Sequence, residues 1–151
     1  MSRFLKCLVL LTSIFLFYSF SYCETKDINS LVDDFQSATD LQKEKILSDN
    51  IGKDIFAKGT VANAGEYDFF NTTEDIKGTY YQVLTSQQKT KNNTPYQVIF
   101  LFRDKAKASD VSKGQDLQSN GKIIRISDER LQISVWLFCG DLSDEEINLF
   151  R

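Results

Sequence analysis

Acid pairs stand at Asp33-Asp34, Glu74-Asp75, Asp128-Glu129 and Glu145-Glu146. Two carboxyls can hydrolyse a glycoside, but only when they converge across a cleft. Adjacent residues on a strand point to opposite faces, and on helices or turns such pairs are solvated. None of the four therefore predicts a catalytic site. The chain has no His, which removes His-containing zinc sites, Ser-His-Asp and Cys-His machinery, and the commonest base near neutral pH. Cys139 alternates with aliphatic residues and reads as a small buried apolar side chain, not a nucleophile. The glycines are too dispersed for a phosphate loop. No catalytic residue, metal or cofactor is expected. Asn71-Thr72-Thr73 and Asn92-Asn93-Thr94 are glycosylation sequons, relevant only in a eukaryotic host.

The first residues carry an address. Arg3 and Lys6 are followed by an uncharged, apolar run to Phe20, then by Ser21, Tyr22 and Cys23. The run is shorter than the roughly 20 residues a membrane span requires. A basic start, a short apolar core and small residues beyond it are the layout of a secretory signal over residues 1–22. An uncleaved anchor is the competing reading. Cleavage after Cys23 or after Ser21 puts small residues at the positions a signal peptidase reads. Lipidation at Cys23 is the other route, and Tyr22 immediately before the cysteine fits it less well. Cys7 leaves with the signal, so one or two cysteines remain and no disulfide framework is expected. The domain must stand on its apolar core.

Charge narrows the partners. The sequence holds 18 Lys and Arg against 21 Asp and Glu, a net charge of −3. Without Arg3 and Lys6 the balance is 16 against 21, or −5. That argues against a general phosphate-backbone binder, which needs a basic face.

Several elements position what is left. Ile28, Leu31, Val32 and Phe35 have helical spacing over residues 27–37. Thr39 followed by Gln42 is a capping box that starts a second helix, ending near Asn50-Ile51-Gly52. Beyond Gly52 the apolar period becomes two. Strands are expected around residues 55–61 with a break at Gly59, then 77–86, 95–103, 115–126 and 131–139, five in all. The third is apolar on both faces. Ser143 with Glu146 forms another capping box, and Ile147 and Phe150 give a short C-terminal helix over 143–151 one small apolar face.

One internal echo links two of the strands. Gly52, Ile55, Gly59 and Val61 recur at the same spacing as Gly114, Leu117, Gly121 and Ile123. A glycine inside a strand marks a bulge or sharp bend, which a small barrel uses to turn its long strands. Gly59 and Gly121 are expected at such bends, in neighbouring first and fourth strands.

With Gly52-Lys53 before the first strand, Lys113-Gly114 before the fourth, a short link over 106–111 and Cys139 in the fifth, residues 40–140 resemble an oligonucleotide/oligosaccharide-binding (OB) domain. The nearest likeness is to the tRNA-anticodon-binding-like OB family of exported bacterial proteins. The resemblance implies a mainly β fold: a five-stranded OB-type Greek-key barrel over 51–142, a helical lead-in over 23–50 and a short C-terminal helix. It brings no catalytic residues, and the family name does not make tRNA the ligand.

Such barrels take ligands on the face of the second and third strands and in the loop joining the first two. Here that loop is expected over residues 63–77, carrying Tyr67, Phe69 and Phe70, which either stack on a ligand or fold back to cap the barrel. Outward positions on the strand pair are Tyr80, Gln82, Gln97 and Arg103, which either meet a ligand or lie under the helices. Ile99, Leu101, Trp136 and Phe138 need a cover, for which the N-terminal helix is the natural choice. The expected function is an exported module of the periplasm or cell envelope that binds a protein partner, peptide or glycan. It would touch the membrane only through a lipid on Cys23. A single-stranded nucleic-acid binder is the alternative, and an enzyme the remotest reading.

Overall fold

The computed structural model describes residues 27–67, 80–129 and 132–148. The expected signal segment, Cys23, Phe69, Phe70, Glu74-Asp75 and Phe150 lie outside the described residues.

Helix α1 (Ile28–Ser37) buries Ile28, Leu31, Val32 and Phe35, the four residues on its apolar stripe. Helix α2 (Asp40–Asn50) starts at the expected capping box: Gln42 Oε1 accepts the Thr39 amide at 2.9 Å and the Thr39 hydroxyl at 3.1 Å. This helix fully buries nothing. Ile46 and Leu47 pack partly against the interior, and Lys43 ties it to Asp128 at 3.0 Å.

The rest is mainly β: β1 (Asp54–Tyr67), β2 (Tyr80–Thr85), β3 (Gln88–Lys89), β4 (Pro95–Phe102), β5 (Asp116–Glu129) and β6 (Gln132–Phe138). Short helices α3 (Lys105–Ser109) and α4 (Asp144–Asn148) precede β5 and follow β6. β1 runs antiparallel to both β2 and β5; β2 is antiparallel to β4, and β5 to β6. β4 and β6 run parallel. Each of the five long strands thus has two long neighbours, and the pairings return to their start. The sheet holds six strands among the described residues, one more than expected, because Gln88 and Lys89 pair with the start of β4. β2 ends where side chain replaces backbone: the Thr85 hydroxyl donates to the Val98 carbonyl and accepts the Val98 amide, both at 3.0 Å.

One face of the strands makes the main core. Ile55, Ala57, Val61, Val83, Val98, Phe100, Ile123, Val135 and Leu137 pack there with the α1 stripe. Burying such side chains gives about 1.5–3 kcal/mol each. α1 therefore joins this core and does not cover Trp136 and Phe138, correcting the expectation. Two-period alternation alone cannot say which layer an amphipathic helix will meet.

The echoed glycines need a further correction. Gly59 and Gly121 do lie inside β1 and β5, which are neighbours, with no break in the strand at Gly59. Neither sits at a register shift. The shifts fall between Val61 and Asn63, and between Ile123 and Arg125. What requires glycine is space. A Cβ on Gly59 would stand 2.6 Å from Thr85 Cγ2, and one on Gly121 would stand 3.0 Å from Leu137 Cβ and 3.1 Å from the Phe138 carbonyl oxygen.

Candidate functional site

The face of β2, β4 and β6 opposite the main core carries its own apolar layer. Side chains alternate along a strand, so Val83, Val98, Phe100, Val135 and Leu137 turn inward. Leu84, Ile99, Leu101, Trp136 and Phe138 then turn out. Strand register sets them in rungs. Leu84, Ile99, Trp136 and Arg125 lie side by side, and so do Gln82, Leu101, Phe138 and Lys122. A third, polar rung is Gln97, Ser134 and Ser127. Within it, Gln97 Nε2 donates to the buried Ser134 hydroxyl at 3.2 Å.

Aromatics from the strand ends close over the rungs. Tyr67 and Tyr80 are paired across β1 and β2. The Tyr67 ring lies 5.1 Å from that of Trp136, and the Tyr80 ring 6.1 Å from that of Phe138 at 71°. These are the tilted and edge-on geometries that aromatic quadrupoles favour. Guanidinium groups cap the layer: Arg125 stands 5.9 Å above Trp136 and Arg103 5.3 Å above Phe138. Arg103 also pairs with Glu146 of α4. The layer is packed, with Leu101 and Phe138 at 0% and 1% exposure. Trp136 keeps 9%, and its indole Nε1 is the one buried side-chain polar atom with no hydrogen-bond partner among the described residues.

The structure brings Tyr67, Tyr80, Gln82 and Gln97 to this single face, with Arg103 at its margin. Tyr67 is not a loop residue, however. β1 continues through residues 63–67, and the expected loop loses its first five positions to the strand. Tyr80 is buried, so it supports the layer instead of offering a free ring. Trp136, Phe138 and Arg125 were absent from the expected site. The signal was present: β6, like β4, is apolar on both faces, the mark of a strand packed on two sides.

Other reactive groups have structural roles. Asp33 accepts the hydroxyls of Thr90 and Thr94 at 2.6 and 2.7 Å and Asn92 Nδ2 at 2.9 Å, pinning α1 to the β3–β4 turn. Burial pushes the half-buried Cys139 thiol above its ordinary pKa, which keeps it protonated and unreactive. Glu146 is held below the usual carboxylate range, chiefly by the Ser143 amide and then by Arg103. Among the described residues no three Asp, Glu, Cys or His side chains converge as metal ligands. No helix there is long and apolar enough to cross a membrane.

No protein-family model, curated protein or solved structure matches this chain.

Proposed function

We propose that the five long strands form an OB-type Greek-key barrel and that the chain is an exported binding module of the bacterial envelope. Residues 1–22 direct export, and Cys23 becomes the new N-terminal region or carries a lipid. The ligand is a protein partner, peptide or glycan met on the face of β2, β4 and β6. The strand order supports the barrel: the first strand adjoins the second and fourth of the five long strands, and the third runs parallel to the fifth. The resemblance to the tRNA-anticodon-binding-like OB family rests on Gly52-Lys53, Lys113-Gly114 and Cys139.

The indole N–H of Trp136, which has no hydrogen-bond partner among the described residues, carries the binding reading. A buried donor without an acceptor costs about 1–3 kcal/mol. A peptide carbonyl or a sugar hydroxyl reaching it would lift that penalty, and Tyr67 and Trp136 offer the aromatic contact both ligand classes favour. Gln82 and Gln97, both half-buried, flank the layer with donors and acceptors. Nucleic acid is the weaker reading, because two of the cations at this face are already paired with carboxylates. Arg103 is paired with Glu146 and Lys122 with Asp54 at 3.1 Å.

Peptide and glycan arrays probed at two salt concentrations test the proposal. A ligand whose binding is lost in Trp136→Phe, with the melting temperature kept, supports it. Binding to single-stranded nucleic acid that falls steeply with salt would replace it.

A further inference from the structure

We propose that the open edge of β1 over residues 63–66 accepts an extended peptide as an added strand, in the cleft between β1 and α3. β1 pairs with β5 only through Asp54 to Thr60, and with β2 from Val61 to Tyr67. Val61 is the last residue served on the β5 side: its amide donates to the Gln115 carbonyl and its carbonyl accepts the Gly114 amide, both at 2.8 Å. Beyond it, among the described residues, no backbone hydrogen bond reaches residues 62–66 from that side. Asn63, Ala64, Gly65 and Glu66 are all exposed, and nothing lies within 4 Å of where a Gly65 Cβ would stand.

Alternate residues of an antiparallel strand turn their N–H and C=O away from the neighbour. Two of these four residues therefore present donors and acceptors to the cleft. Natural edges are blunted by proline, charged side chains or bulges. The segment Val61-Ala62-Asn63-Ala64-Gly65-Glu66-Tyr67 has no proline or lysine, and its register shift and its one charge, Glu66, lie at its two ends, leaving Ala64 and Gly65 between them.

The far wall of the cleft is α3 and the residues after it. Ala108, Ser109 and Val111 face Ala64 and Gly65 across about 300 Å³, with Tyr81 among the lining residues. α3 is only five residues long, too short to close the gap β5 leaves beside β1. Lys105 Nζ lies 3.9 Å from Glu66 Oε1, and both side chains are about two-thirds exposed. An exposed pair of this length holds weakly, so an entering strand can part it.

These features select the occupant. Alternating donors and acceptors at strand spacing are met by extended polypeptide backbone. Ala64 and Gly65 on one wall and Ala108 and Ser109 on the other are small, and Tyr81 and Val111 add apolar surface, so an apolar side chain of the peptide is the one the cleft favours. A second copy of this chain fits worse, because its own α3 would have to enter the same gap. The inference rests on the binding-module reading only for its choice of a polypeptide ligand.

The test pans a phage-displayed library of random twelve-residue peptides on the purified chain. Amide hydrogen exchange with a selected peptide should slow at alternate residues within 63–66. Of Ala64→Pro and Gly65→Pro, the variant whose amide faces the cleft should bind about tenfold more weakly with the melt unchanged, and the other should loosen β1 from β2. Peptides that shift Trp136 emission yet leave exchange at 63–66 unaltered would overturn this inference and keep the proposed function. Selection of no peptide, or protection of the edge by dimerisation without peptide, would overturn it as well.

Discussion

The Gly52 amide donates to the Ile123 carbonyl at 2.8 Å. The Gly114 amide donates to the Val61 carbonyl at the same distance, so the two copies of the echoed segment hold each other reciprocally. The return bonds match: Ile123 to the Lys53 carbonyl at 3.0 Å, and Val61 to the Gln115 carbonyl at 2.8 Å. Ala57 opposite Ser119 lies at the centre of this arrangement. The register shifts also fall at equivalent steps, after Val61 and after Ile123. The repeated sequence thus builds a local two-fold between β1 and β5, and each turn into a strand needs a glycine at φ +83° or +86°.

That pair gives a graded prediction. Gly114→Ala adds only left-handed strain, about 1 kcal/mol, because its Cβ would meet nothing within 4 Å. Gly52→Ala should cost more, because its Cβ would stand 2.7 Å from Ile147 Cγ2 of α4. In urea melts, adding Ile147→Ala should bring the Gly52→Ala penalty down to that of Gly114→Ala. Equal penalties in the parent chain would mean that α4 does not dock there.

Asp33→Ala should destabilise by about 2–3 kcal/mol, because three donors on the β3–β4 turn lose a charged acceptor together. Asp33→Asn keeps one acceptor oxygen and should lose less. Urea midpoints rank the two, and a neutral Asp33→Ala would show that α1 is held by its apolar stripe alone.

Glu146 makes the α4 contact pH-dependent. Its folded pKa lies below the unfolded value of about 4.3. The contribution is therefore complete above that value and is lost as pH falls through the lower, folded pKa. The group is partly exposed, so the expected difference between the parent chain and Glu146→Gln is about 0.5 kcal/mol at pH 7. Thermal melts should show it shrinking and then vanishing as the pH falls through that lowered folded pKa. A difference that persists in acid would place the contribution elsewhere.

The export proposal predicts a mature chain beginning at Cys23 or within two residues of it. Intact mass of protein from its own host reads this directly. A mass that includes residues 1–22 contradicts export by cleavage, and an added diacylglycerol selects the lipid route.

Much of the architecture was legible because local signals agreed. α1 has its stripe, α2 and α4 their capping boxes, and β4 its continuous apolar run. In α4 the box forms as expected, with the Ser143 amide on Glu146 Oε2 at 2.9 Å and the Glu146 amide on the Ser143 hydroxyl at 3.2 Å. The second half of β1 was not legible. Residues 62–66 are small or polar, because that stretch faces solvent and gains its strand geometry from β2 alone. Lys105–Ser109 and Gln88–Lys89 are too short to carry a period. The destination of Trp136 also escaped a local reading: its neighbours Tyr67, Ile99 and Arg125 come from three other strands, and only the register brings them together.

Trp136 is the single tryptophan of the chain, so its emission reports on the proposed binding face alone. The most direct measurement titrates the purified protein with fractionated envelope extract from its own host while following that emission. The account predicts a saturable shift from one protein, peptide or glycan fraction, weakened severalfold by Gln82→Ala with Gln97→Ala at unchanged melting temperature. Saturable binding that leaves Trp136 emission unmoved, and is indifferent to both glutamines, would contradict it.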